Sequence, residues 1–138
     1  MYFEETSAIR VSVEPEFLSE QSNSDENFYL YAYKITIENR SAEAFQLLRR
    51  HWIIRDGTGR EERVEGEGVV GKKPVIRPGE RFIYTSGCPL STPTGNMRGT
   101  YTVRTSSSSW VKVRVPVFFL RPPMFPEEPE EPQLAFKR

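Results

Sequence analysis

Phe28-Tyr29-Leu30-Tyr31-Ala32-Tyr33-Lys34-Ile35-Thr36-Ile37-Glu38 is apolar at every second position. Tyr29, Tyr31, Tyr33, Ile35 and Ile37 fall on one face of an extended chain, all aromatic or β-branched. Phe28, Leu30 and Ala32 line the other face before it turns polar at Lys34, Thr36 and Glu38. A period of two, not 3.6, marks a half-buried strand. Asn39-Arg40-Ser41 then supplies turn chemistry.

The pattern continues on both sides. Ile9, Val11 and Val13 alternate with Arg10, Ser12 and Glu14. Pro15 cannot donate to a ladder, which places that strand at a sheet edge or ends it there. Leu18 to Asn27 is polar and reads as a loop. Residues 41–52 contain good helix formers, yet Trp52-Ile53-Ile54 ahead of Asp56-Gly57 looks like a strand entering a hairpin. Residues 45–56 therefore read as a strand kinked near Arg49 and Arg50. All nine glycines lie between Gly57 and Gly99, in the turn-like stretches DGTG, GEGVVG, RPGE, SGCP and PTGNMRG. Short strands fit between them at 60–64, 81–85 and 100–105. Ser106 to Ser109 lead to a last strand, 110–120, with Val111, Val113 and Val115 on one face.

Seven to eight antiparallel strands without a long helix predict an all-β fold, a two-layer sandwich. With a single cysteine, Cys88, no antibody-type disulfide core is possible. From Arg121 the composition changes: RPPMFPEEPEEPQLAFKR holds five prolines and four glutamates. Proline cannot join a sheet ladder, so the chain divides into one domain, 1–121, and an extended or disordered tail, 122–138. Met124-Phe125 and Leu134-Ala135-Phe136 are apolar points on that tail.

Composition narrows function. The 138 residues carry 19 basic and 19 acidic side chains, unevenly placed. Residues 1–30 hold seven acids and one base, residues 31–125 sixteen bases and eight acids. No long block of like charge occurs, and the aromatics sit at strand spacing, which argues against nucleic-acid binding. No run reaches the ~20 apolar residues a membrane-spanning helix needs, so no membrane insertion is expected. The first residues lack the pattern of a secretory signal, and lone Cys88 fits a reducing compartment, so the expected location is cytoplasmic.

Gly66-Glu67-Gly68-Val69-Val70-Gly71 fits the dinucleotide-binding pattern G-x-G-x-x-G, and Lys72 extends it toward a phosphate-binding loop. Both mechanisms need a helix directly after the glycines, whose free N–H groups hold the phosphates. Here Pro74 and Pro78 deny that helix, and Lys73 stands where a Ser or Thr would hold magnesium. The plainer expectation is a loop joining strands with Val69 and Val70 packed inward. A looser anion or nucleotide site would use Gly66, Gly68, Gly71, Lys72, Lys73 and Arg77. Cys88 would need His51 as its base to act as a nucleophile, and His51 lies beside Trp52 on a core strand. His51, Cys88, Asp25 and Asp56 show no metal-ligand spacing. No catalytic residues, metal site or cofactor is expected, which argues against an enzyme.

Residues 64–101, VEGEGVVGKKPVIRPGERFIYTSGCPLSTPTGNMRGTY, closely resemble the ApaG family, also called CorD. Tyr33-Ile35-Ile37-Asn39, Leu48 to Ile54 and Val115-Pro116-Val117-Phe118 extend the resemblance over about residues 8–122. It implies an immunoglobulin/fibronectin type III-like β-sandwich, and in bacteria an association with cobalt resistance and magnesium efflux. Eukaryotic relatives sit in F-box and polymerase-interacting proteins, which implies a protein-interaction module acting through an unknown protein partner. The same glycine motif has prompted the suspicion of dinucleoside polyphosphate binding. A homodimer is a further expectation, formed through the edges Ile9–Val13 or Trp110–Leu120.

Overall fold

The structure is a computed structural model that describes residues 1–123; the tail lies outside the described residues from Met124 onward. Nine strands follow in order: β1 Tyr2–Thr6, β2 Ile9–Phe17, β3 Tyr29–Asn39, β4 Phe45–Asp56, β5 Glu61–Glu67, β6 Val75–Ile76, β7 Arg81–Leu90, β8 Gly95–Thr105 and β9 Trp110–Leu120. One sheet has the order β1-β2-β3-β7; the other runs β5-β4-β8-β9, with the short β6 also paired to β4. All pairs are antiparallel, so the two sheets form the expected sandwich.

The alternation of β3 places Tyr31, Tyr33, Ile35 and Ile37 in the core, as its period predicts. Opposite it, Trp52 meets the rings of Tyr33, Tyr101 and Phe118 edge-on, at centroid distances of 5.6, 6.1 and 6.1 Å. Such tilted contacts set the ring edge of one residue against the π face of the next. The expected kink in β4 is a bulge: its register against β8 shifts between Leu47 and Arg49. The extra residue turns Arg50 toward the inner face, beside Tyr101.

Three sequence expectations change. The edge at Ile9–Val13 is covered, because β1 pairs along it from Thr6 to Tyr2. β1 connects through Ser7-Ala8, whose φ angles of 49° and 60° suit a two-residue hairpin turn without any glycine. Past Val13 that edge is open, which is where Pro15 sits without cost to a ladder. The other proposed edge, β9, has β1 beside it: Arg114 N–H donates to Thr6 Oγ1 (3.2 Å). Finally, SGCP and the GNMRG part of PTGNMRG are strand, not turn, within β7 and β8. Close backbone approach explains two of those glycines: a Cβ at Gly95 would lie 2.5 Å from the Arg55 carbonyl, and at Gly99 2.3 Å from that of His51.

Candidate functional site

The glycine motif occupies the end of β5 and the turn after it. Gly66 pairs with Arg50. The Arg50 guanidinium lies flat on it, where a Cβ would come within 2.6–2.7 Å. From there Arg50 Nη1 donates to the carbonyls of Glu67 (3.0 Å) and Gly68 (3.1 Å). Val69 and Lys72 exchange backbone hydrogen bonds of 2.8 and 2.9 Å across Val70 and Gly71. With φ of 44° and 78° at those two residues, this is a type I′ turn. It drives Val69 fully into the core and leaves Val70 42% exposed, so only one of the two valines packs inward. Beneath Val69 remains a cleft of about 30 Å³ lined by Arg50, Tyr33, Tyr84 and Ser86, room for little more than a water molecule.

The backbone donors of Gly68, Val69 and Lys72 are engaged within the fold. Gly68 N–H bonds the Leu48 carbonyl at 2.8 Å, and the Val69 and Lys72 N–H groups close the turn. Lys73 Nζ pairs with the Glu67 carboxylate at 3.2 Å. Arg77 N–H donates to Glu80 Oε1 at 2.9 Å. Gly66, Gly68, Gly71, Lys72 and Lys73 share the hairpin, whereas Arg77 follows β6 on a separate turn, closed at 2.9 Å by Glu80 N–H on the Arg77 carbonyl.

Tyr84 and Tyr101 meet behind this hairpin, hydroxyl to hydroxyl. Burial raises the pKa of both well above the ordinary tyrosine value; for Tyr84 the bond from Tyr101 works against that shift. Tyr31, which donates to the Pro93 carbonyl, is pushed up to about 12 by burial and then by Tyr29. Cys88 is buried on the inner face of the four-stranded sheet. His51 lies on the outer face of the other sheet, 3.6 Å from Glu65. The sandwich separates them, so they form no nucleophile–base pair. Among the described residues, no three His, Cys, Asp or Glu side chains cluster as a metal site.

The surface that sequence reading missed is the outer face of the five-stranded sheet. Across β8 and β9 the register places Asn96 beside Phe119, Thr100 beside Arg114, Thr102 beside Lys112 and Arg104 beside Trp110. A second bulge, between Met97 and Gly99, sets Pro116 and Val117 opposite Arg98. Trp110 is 61%, Val117 48% and Phe119 46% exposed. Arg104 lies over the Trp110 ring at 5.6 Å and Arg121 over Phe119 at 5.5 Å. Near the bulge a groove of about 430 Å³ runs between Ile53, Arg98, Arg114, Val117 and Phe3. The signal was present as outward alternation in β9, but alternation alone does not tell solvent from partner.

Residues 19–105 match the family description of the ApaG domain. The chain is 50% identical over 123 residues to Protein ApaG of Rhodospirillum centenum, covering 89% of this chain and 95% of the relative. It is equally 50% identical over 123 residues to Protein ApaG of Bradyrhizobium diazoefficiens, with the same coverage of 89% and 95%. The crystal structure of an ApaA protein from Bordetella pertussis superposes with a TM-score of 0.82 at 41% identity, covering 89% of this chain and 97% of that one. A match over most of the domain, in sequence and in structure, leaves one assignment: this chain belongs to the ApaG domain family.

Proposed function

We propose that this ApaG domain is a non-enzymatic protein-interaction module. The observation that carries the reading is the exposure of Trp110, Val117 and Phe119 on the outward side of β9. Large apolar side chains grouped among arginines are the composition of protein interfaces. The link to cobalt resistance and magnesium efflux implied by the family then runs through a partner protein.

The test is co-purification at near-physiological salt from a bacterium carrying an ApaG relative, comparing the chain with a Val117→Ser, Phe119→Ser variant. A stoichiometric partner lost with the variant is the expected result. No partner across growth conditions, including cobalt stress and magnesium limitation, overturns the reading.

A second reading, small-anion or nucleotide (dinucleoside polyphosphate) binding at the glycine hairpin, draws support from the exposed side chains of Lys72, Lys73 and Arg77. It is weaker because the N–H groups of Gly68, Val69 and Lys72 and the Lys73 ammonium already have partners. An amide-resolved NMR titration with ATP and diadenosine tetraphosphate separates the two. Saturable shifts at residues 66–77 favour the anion reading, and their absence at millimolar ligand removes it.

A further inference from the structure

We infer that the partner surface is the β8–β9 half of the outer sheet face and that its partner is an acidic protein segment with apolar residues flanking the acids; this rests on the interaction-module reading above. Along those two strands the outward side chains include Arg98, Arg104, Lys112 and Arg114 and not one carboxylate. The carboxylates of this face, Glu61, Glu65 and Glu67, all stand on the margin strand β5. The opposite outer face has no such imbalance, since Glu5, Glu14, Glu16 and Glu38 offset Arg10, Lys34 and Arg81 there.

The cations sit between two apolar ends. Trp110 marks one end of β9 and Val117 with Phe119 the other. At ~3.3 Å per residue the strip is roughly 30 Å long, and two strands at ~4.8 Å spacing make it about 10 Å wide. Those dimensions accept one extended segment or one helix. The arrangement asks for acids in the middle of that segment and apolar side chains at its ends.

The existing ion pairs do not close the strip. Arg98 Nη2 meets Glu61 at 3.2 Å and Arg114 Nε meets Glu4 at 3.7 Å. Both pairs are partly solvent-exposed, and such pairs hold weakly enough for a partner's carboxylate to take the cation. Glu4 lies on one long side of the strip; on the other lies β4, with outward Arg49 and Arg55, and beyond it the β5 glutamates. The apolar side chains at both ends of the cations match a short acidic peptide with apolar ends, a feature that a phosphate backbone lacks.

The test titrates the full chain with three fluorescent probes: a 12-residue peptide of central Asp and Glu with Leu and Phe at both ends, its Asn/Gln counterpart, and oligo-dT of matched charge. The acidic peptide is expected to bind with affinity that falls steeply with salt, to shift amides of β8 and β9, and to exceed the Asn/Gln peptide by about tenfold or more. Arg104→Glu with Lys112→Glu should abolish binding, while Lys34→Glu with Arg81→Glu on the opposite face should leave it intact; near-UV circular dichroism checks that both variants fold. Equal binding of the Asn/Gln peptide, or shifts outside the strip, overturns the inference. So does oligo-dT binding as tightly, which reassigns the strip to nucleic acid. Dimerisation of the free chain lost on the Arg104/Lys112 reversal overturns it too, because the occupant is then a second copy. A co-purified partner that survives this reversal sinks the strip but keeps the interaction module; absence of any partner sinks the module itself.

Discussion

The glycine hairpin and the outer strip of β8 and β9 invert their sequence appearances. The hairpin matches a ligand-binding motif, yet the N–H groups of Val69 and Lys72 close its turn, its carbonyls hold Arg50 and its one buried valine stoppers the sandwich. The strip matches no motif, yet it gathers exposed aromatics and cations that no core contact explains. Glycines at fixed spacing report backbone conformation first. They become a ligand cradle only where the freed N–H groups point outward, as at a helix start. A sheet face, in contrast, is assembled from strands distant in sequence, so its chemistry has no linear signature.

If the hairpin is structural, substitution there should be felt as stability. Gly68→Ala should do the most damage, because Gly68 has φ of +63° and a Cβ would lie 2.2 Å from the Lys72 carbonyl oxygen. A backbone atom cannot swing aside, so a loss of about 3 kcal/mol or more is expected in urea denaturation. A stable Gly68→Ala protein that had merely lost a ligand would break the comparison.

Val69 and Val70 sharpen it within two adjacent residues. Val69→Ala removes two buried methyl groups and leaves a cavity, which should cost about 2 kcal/mol. Val70→Ala, on the exposed turn tip, should stay within about 0.5 kcal/mol. Equal effects at both positions would mean that the turn does not seat Val69 in the core.

The interior behind the hairpin should also answer to alkali. Burial raises the Tyr84 and Tyr101 pKa values above those of the unfolded chain, so the folded state keeps both protons where the unfolded state loses them. Their contribution is complete below pH ~10, the unfolded value, and declines as pH rises above it. Stability measured between pH 8 and 11.5 should therefore fall, and less steeply in a Tyr84→Phe, Tyr101→Phe variant. An unchanged slope would place these hydroxyls in contact with solvent.

Much of the fold was legible because burial and strand period agree, as in β3, where every second side chain from Tyr31 to Ile37 is buried. β1 escaped because its turn, Ser7-Ala8, reaches left-handed φ without the Gly or Asn that usually announces it. The glycines of β8 misled in the opposite direction: Gly95 and Gly99 make room for a neighbouring strand's carbonyls instead of turning the chain. For the hairpin, the prolines after the motif correctly denied a helix, but residue types alone do not reveal which N–H groups are engaged. The strip was hidden for a further reason. Lys112 and Arg114 read as ordinary solvent-facing partners of Val111 and Val113, and only the register across the second bulge sets them beside Thr102 and Thr100, with Arg98 and Arg104 farther along β8.

The smallest effect bears most directly on the strip. Arg98 and Glu61 form an ion pair on that face, 3.2 Å apart with side chains 39% and 35% exposed. If the pair existed to hold β5 against β8 across β4, a double-mutant cycle would give a coupling of several kcal/mol, as for buried pairs. A cation held ready for exchange requires the opposite, a coupling of about 0.2–1 kcal/mol that fades with salt. The Arg98→Ala, Glu61→Ala cycle measured by thermal unfolding at low and high salt distinguishes these. A weak coupling leaves Arg98 available to a partner's carboxylate at little cost in stability. A strong one would make the β8–β9 face self-sufficient and return the outer sheet to the same structural role as the hairpin.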